Sequence, residues 1–197
     1  MIILGLTGSI GMGKSTLARM LQEAGIPVHD ADATVHRLLA AGGKAVAAIS
    51  AAFPAVSRAD GSIDRRALGQ QVFGNTPALR RLEAILHPLV RADKAAFLAR
   101  CRRRRCRLVA LDVPLLYETG GDRQCDAVMV VSAPYFLQRQ RVLARPGMTA
   151  ETFAQIRSRQ CPDAEKRRRA DVIVPSGLGK AVTRRAVKRA LKHLKRG

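Results

Sequence analysis

The eight residues Gly8-Ser9-Ile10-Gly11-Met12-Gly13-Lys14-Ser15 fit the pattern G-x-x-x-x-G-K-[ST], and no other feature limits the fold of this chain as tightly. Glycines at such places let the backbone curl until its N–H groups point inward, at the oxygens of a polyphosphate. The lysine, here Lys14, can then reach the β- and γ-phosphates, and the hydroxyl of Ser15 can ligate Mg²⁺. At average residue frequencies the bare pattern arises by chance in on the order of one percent of chains this long. Its flanks make it more specific. Ile2-Ile3-Leu4-Gly5-Leu6 before it reads as a buried strand, and Leu17, Leu21 and Ala24 after it suit one helix face. A helix N-terminus beside the loop adds its own attraction for anions. Strand, loop and helix in that order predict a site for a nucleoside triphosphate.

Four further apolar runs read as strands: Pro27–His29, Leu108–Asp112, Ala127–Val131 and Val172–Val174. Helical patterns separate them, which predicts an α/β fold with a buried parallel sheet covered on both faces. The spacing is uneven. Nearly eighty residues of helix periodicity lie between the second and third runs, too many for one crossover. Asp64 can cap a helix through Phe73, Thr76 and Pro77 can open another, and Pro88 can open a third. That block reads as a helical insertion at the mouth of the sheet, where ligands of such folds bind. A second insertion runs from Pro134 to about Ala170, broken at Pro146-Gly147 and restarted at Thr149. A basic helix from about Leu178 to Lys195 follows, with Val187, Leu191 and Leu194 as its narrow apolar stripe.

The net charge of +20 points to polyanionic partners, either nucleic acid or a small phosphorylated substrate. Aromatic residues are only 4% and no stacking platform is evident, so no nucleic-acid partner is expected despite the charge. Cys101, Cys106, Cys125 and Cys161 show no C-x-x-C spacing, and the histidines form no H-E-x-x-H. Neither a zinc site nor a disulfide framework is indicated, and scattered thiols suit a reducing cytoplasm. The apolar start lacks a basic leader region, and no apolar stretch is long enough to span a membrane.

A switch GTPase should carry N-K-x-D, which is absent, and a motor ATPase usually places Glu directly after its strand-end Asp. Here Val113-Pro114 follows Asp112. Phosphoryl transfer to a second small molecule remains, for which water must be excluded rather than activated. Asp30-Ala31-Asp32 sits just past the second strand, and we read Asp32 as general base on the acceptor hydroxyl, with Asp30 structural. Both could instead cap the following helix. Gln138, Arg141 and Arg145, with Arg157 and Arg159 on the next helix, flank the Pro-Gly break as a closing lid would. Arg141 is expected to neutralise charge on the transferred phosphoryl group, and Asp112 to hold Mg²⁺ through water.

These residues together resemble the dephospho-CoA kinase family, nearly end to end. The resemblance runs through Gly5-Leu6-Thr7-Gly8 to Ser15-Thr16, then Asp30-Ala31-Asp32, then Asp60-Gly61-Ser62-Ile63-Asp64-Arg65. It continues through His87-Pro88, Asp112-Val113-Pro114-Leu115-Leu116-Tyr117-Glu118, Gln138 with Arg141, and Gln160 through Lys166 to Ala170-Asp171. It implies a P-loop NTPase fold of nucleoside-monophosphate-kinase type, with a five-stranded parallel sheet, a helical acceptor-binding insertion and a lid. The core would comprise about 1–32, 106–133 and 170–197, the insertion about 33–105 and the lid about 134–169. The resemblance assigns Gly11, Met12, Gly13, Lys14, Ser15 and Thr16 to ATP. It assigns Asp32 to the acceptor hydroxyl, and Arg65, His87, Leu115 and Glu118 to the acceptor side. His87 could equally serve its own backbone, and Glu118 and Tyr117 could pack their loop. The family often has Asn near the end of the fifth strand, where this chain reads Pro175-Ser176-Gly177. The implied reaction is ATP-dependent phosphorylation of the ribose 3′-hydroxyl of dephospho-CoA, in the cytoplasm, by a protein for which a monomer is favoured. The alternatives are a nucleoside or nucleotide kinase with the same core and a basic RNA-associated nucleotide-binding protein.

Overall fold

The five apolar runs become five strands in the computed structural model, which describes residues 1–194. They are β1 (Ile2–Thr7), β2 (Val28–Asp30), β3 (Leu108–Asp112), β4 (Ala127–Ser132) and β5 (Val172–Pro175), in the sheet order β2-β3-β1-β4-β5. β1 pairs in parallel with β3 and β4, and β4 with β5. The helices are α1 (Lys14–Glu23), α2 (Ala31–Leu39), α3 (Val46–Ala52), α4 (Arg65–Val72) and α5 (Thr76–Arg103). After β4 come α6 (Tyr135–Leu143), α7 (Ala150–Ser158) and α8 (Asp163–Arg169), and after β5 comes α9 (Lys180–Leu194). The basic helix thus begins two residues later than its pattern suggests, and Lys195 and Arg196 lie outside the described residues.

Two compact units make up the chain, Met1–His29 with Cys101–Gly197, and Asp30–Arg100. In the first, strand alternation divides the core between the two faces of the sheet. Leu4, Leu6, Met129 and Val131 face Leu17, Leu21, Val187 and Leu191 of α1 and α9, while Val128 and Val130 pack with Leu116 and Tyr117. Each fully buried Leu or Val contributes about 1.5–3 kcal/mol relative to exposure. β1 and β4 are buried along most of their length, which is why they read as unbroken apolar runs.

The second unit is helical around Leu38, Ile49, Phe53, Val56, Ile63 and Leu68. Asp30 caps α2 by accepting the Ala33 N–H at 2.9 Å, and Asp64 caps α4 by accepting those of Arg66 and Ala67. Pro88 does not open a helix as expected: α5 runs unbroken through it for 28 residues. An internal proline removes one helix hydrogen bond and costs about 3 kcal/mol. Leu82, Ile85, Leu86, Leu89 and Val90, on both sides of it, pack on the same core and hold the helix together.

α5 ends at the expected arginine run, by a specific device. Cys106 N–H bonds to Cys101 O at 3.0 Å and Arg105 N–H to Arg102 O at 2.9 Å, with Arg105 at φ 53°. This is the Schellman ending, whose left-handed position normally belongs to glycine. Arg105→Gly is therefore expected to stabilise the fold by about 1 kcal/mol, seen as a raised denaturant midpoint at unchanged slope. A midpoint at or below that of the parent chain would show that the arginine side chain offsets its backbone strain.

Candidate active site

The loop between β1 and α1 is shaped by backbone contacts before any side chain acts. Gly11 and Gly13 have φ of 76° and 95°, which other residues rarely adopt. A Cβ on Gly8 would come within 2.5 Å of Val131 Cγ1 and 2.8 Å of Val131 O, so the loop leaves β1 pressed against β4. Gly13 is the N-cap of α1 and supplies no side-chain acceptor, which leaves N–H groups of the first turn available to an anion.

Within this frame Lys14 Nζ lies 2.6 Å from Asp112 Oδ1, and the Asp112 side chain is only 3% exposed. The pair joins the loop to the end of β3. Ser15 is exposed at the first turn of α1 and Thr16 is half-buried beside it. The hydroxyl of Ser15 and the carboxylate of Asp112 are hard oxygen donors of the kind Mg²⁺ prefers. No group of three or more His, Cys, Asp or Glu able to hold a metal occurs among the described residues. A Mg²⁺ that arrives with a triphosphate needs only one or two protein oxygens, because phosphates and water complete its shell.

The apex of the loop is clasped from two helices. Gln138 Nε2 donates to Ile10 O at 2.9 Å, and Gln160 Oε1 accepts the Ile10 N–H at 3.0 Å. Arg141 also serves the loop. Its guanidinium donates to Ser176 O at 2.8 Å and Ser176 Oγ at 3.1 Å, and reaches Gly11 O at 3.5 Å. Ser176 Oγ in turn donates to Met12 O at 2.5 Å. Arg141, expected on the transferred phosphoryl group, here braces Gly11–Met12 against the loop after β5. The Ser176 hydroxyl links the two sides of this brace, accepting from Arg141 and donating to Met12 O. On the far flank, a cleft of about 340 Å³ is lined by Ser9, Met12, Gln138, Arg157, Gln160 and Asp163. Arg157 stands over the Tyr135 ring at 4.8 Å beside it.

Glu118 does not wait for a ligand. Its Oε1 accepts the Cys161 N–H at 2.8 Å and pairs at 2.8 Å with Lys166, whose side chain is fully buried. Burial pushes this carboxyl up, yet Lys166 and two backbone N–H groups hold it below its ordinary value. Tyr117 is buried with Arg169 over its ring at 4.1 Å, and desolvation pushes its hydroxyl up to about 12, so it packs the loop as a neutral group. Leu115 is exposed. Because the folded value of Glu118 is depressed, its contribution is present above the unfolded value of 4.5 and is lost as pH falls through the folded one. Glu118→Gln should thus be less stable than the parent chain at neutral pH and converge with it at acid pH, once the glutamate of the parent chain is protonated. Denaturant titrations at both pH values check this, and a constant gap would refute the pairing as the source. Lys166→Met, which strands the carboxylate, should cost about 3 kcal/mol.

In the Asp30–Arg100 unit, Asp32 is exposed in the first turn of α2. Arg65 is exposed at the start of α4 and donates to His36 Nε2. His87 is exposed within α5 rather than ahead of a helix start, which removes the backbone role considered for it there. Sequence reasoning missed Lys166 and Ser176 as working residues, and named Gln160 only as the start of a motif. The sole signal for Lys166 was its place in that motif, since a buried cation in a stretch as charged as Asp163–Arg169 looks like any other.

The sequence pattern of the family described as dephospho-CoA kinase matches residues 2–178. The dephospho-CoA kinase of Rhodospirillum rubrum is 61% identical over 196 residues, covering 100% of this chain and 93% of that protein. That of Mesorhizobium japonicum is 55% identical over 195 residues, covering 99% and 98%. A solved structure from Thermus thermophilus superposes with a TM-score of 0.86 at 35% identity, covering 98% of this chain and 96% of that one. Dephospho-CoA kinase from Campylobacter jejuni (TM-score 0.68, 24% identity, 99% and 98% covered) shares the fold. With a complete phosphate loop, its lysine held at the end of β3, and relatives matching over more than nine-tenths of their length, the chain belongs to the dephospho-CoA kinase family.

Proposed function

We propose that this chain transfers the γ-phosphoryl group of ATP to the ribose 3′-hydroxyl of dephospho-CoA, giving coenzyme A and ADP, the last step of coenzyme A biosynthesis. The observation that carries it is Lys14, set 2.6 Å from the buried Asp112 at a helix N-terminus that has no side-chain cap. Charge developing on the transferred group is met there by a positioned cation and oriented N–H groups. Gly11 to Thr16 hold the nucleotide. Ser15 would hold Mg²⁺, with Asp112 acting through a water, and the ion would supply neutralising charge to the triphosphate. Asp32 accepts the proton of the acceptor hydroxyl. Arg65, His87 and Leu115 serve the acceptor side, whereas Glu118 supports the loop region through Cys161 and Lys166. The reaction belongs to the cytoplasm, and no described helix is long and apolar enough to cross a membrane.

ATP turnover measured with dephospho-CoA, with nucleoside monophosphates and with RNA tests this reading. Turnover should rise with dephospho-CoA alone, and a rise only with one of the others would overturn it. We assign the segment from 134 to 169 as the lid. Its three short helices, interrupted at Gly147 with φ 74°, border the cleft beside the loop. Hydrogen exchange across this segment should slow when ATP and acceptor are both bound. Equal exchange at saturation would rule out gating.

A further inference from the structure

The segments that enter β3, β4 and β5 all arrive at one edge of the sheet, opposite the edge that carries the phosphate loop. Each brings exposed arginine. Five of the six residues from 102 to 107, just ahead of β3, are arginine and all five are exposed. Arg123 precedes β4, and Arg167 and Arg168 precede β5. α9 returns from the far edge, packs Leu194 on the same core as Ile2, and so ends here with Lys188, Arg189 and Lys192 exposed.

The acidic residues of this edge are already engaged. Asp126 accepts the Ile3 N–H at 2.7 Å, Asp171 accepts the Val128 N–H at 2.7 Å, and Asp122 pairs with Arg169 at 2.9 Å. No arginine from 102 to 107 has an ion-pair partner among the described residues. One of them, Arg105, occupies a left-handed position that glycine would fill without strain. A charge kept at a cost in stability is a pointer to function.

We propose that this edge docks on nucleic acid through its phosphate backbone. Guanidinium forks match phosphate oxygens in pairs, and the run is nearly all arginine. The scarcity of aromatics that argues against base stacking leaves backbone binding untouched. A bilayer is disfavoured because Val187, Ala190 and Leu191 of α9 are spent in the core, and of the exposed apolar side chains Leu115, Phe136 and Leu178 follow strand ends at the other edge, whereas Met1 lies ahead of β1 at this one. The docking needs no base sequence and leaves the phosphate loop accessible.

The test uses the full chain with a DNA duplex and a single-stranded RNA of about 20 nucleotides, over about 50–200 mM salt. Affinity should fall steeply with salt for both. Changing Arg102, Arg103, Arg104 and Arg107 to Gln should lower the logarithmic salt slope on the duplex by about 3–4, near 0.9 for each phosphate no longer neutralised. Turnover with dephospho-CoA should stay as in the parent chain. The same charge removed elsewhere, with Arg66, Arg80, Arg81 and Arg91 changed to Gln, should leave the slope as it was. Arg105→Gly should raise the melting temperature while weakening binding, a split that a merely structural arginine cannot give. Equal slope losses in the two fourfold variants would overturn the proposal. So would binding confined to vesicles of about 30% phosphatidylserine, or no binding to either nucleic acid.

Discussion

Lys14→Ala should lower turnover about a thousandfold, because it removes a cation aimed at the transferring phosphoryl group within a water-excluded site. The structure adds a second effect. Asp112 is 3% exposed and Lys14 lies 2.6 Å from it, so the single change leaves a buried carboxylate short of its countercharge. Losing one member of a buried pair costs about 3–5 kcal/mol. Lost activity could then be blamed on lost folding, and a second variant separates the two. Lys14→Met combined with Asp112→Asn strands no charge, so its melting temperature should recover much of the loss while its turnover stays low. Turnover within a few-fold of the parent chain, in a variant that melts normally, would show that chemistry does not run through this loop.

The phosphate loop and the strands were legible because their signals are local. A buried parallel strand is an unbroken apolar run, and the loop is eight consecutive residues. The caps by Asp30 and Asp64 were legible for the same reason, a short acidic residue directly ahead of helix periodicity. Pro88 misled because a rule about local hydrogen bonding met a helix held by packing on both sides. What stayed hidden is long-range. Glu118 and Lys166 are 48 positions apart, and nothing in either neighbourhood marks the other as its partner. Arg141 and Ser176 are 35 apart, and the bond between them exists only because the loop after β5 passes the glycine-rich loop. The lysine of the loop was legible, but its 2.6 Å approach to Asp112 was not, since the register of β1 against β3 creates it.

Asp32→Asn should lower turnover by roughly two to four powers of ten, the usual contribution of a positioned general base. Asn keeps the size of the side chain and removes its basic site, while ATP affinity should change little, since the nucleotide is held by Gly11 to Thr16. Asp30 provides the internal comparison. Its carboxylate accepts the Ala33 N–H at 2.9 Å, a capping bond whose loss on Asp30→Ala should cost about 1 kcal/mol of stability with only a small change in turnover. Asparagine caps nearly as well as aspartate, so Asp30→Asn should be close to silent. Acceptor turnover, ATP binding and thermal melting on the same preparations decide the matter. A normal Asp32→Asn beside a folded but inactive Asp30→Ala would reverse the two roles. If both turned over normally, the loop, the ion and the lid would have to activate the hydroxyl without a carboxylate from this turn.

The two glutamines on Ile10 have a consequence for the order of events in a catalytic cycle. Gln138 and Gln160 hold both polar groups of one residue at the loop apex, and both are uncharged. Neutral hydrogen bonds respond weakly to the arrival or departure of a distant negative charge, and hardly at all to salt. These two bonds therefore do not by themselves distinguish two phosphates from three in the loop. Telling substrate nucleotide from product nucleotide must fall to charged groups, with Lys14 the foremost. ADP should leave more readily because its hold on Lys14 is reduced to the β-phosphate alone.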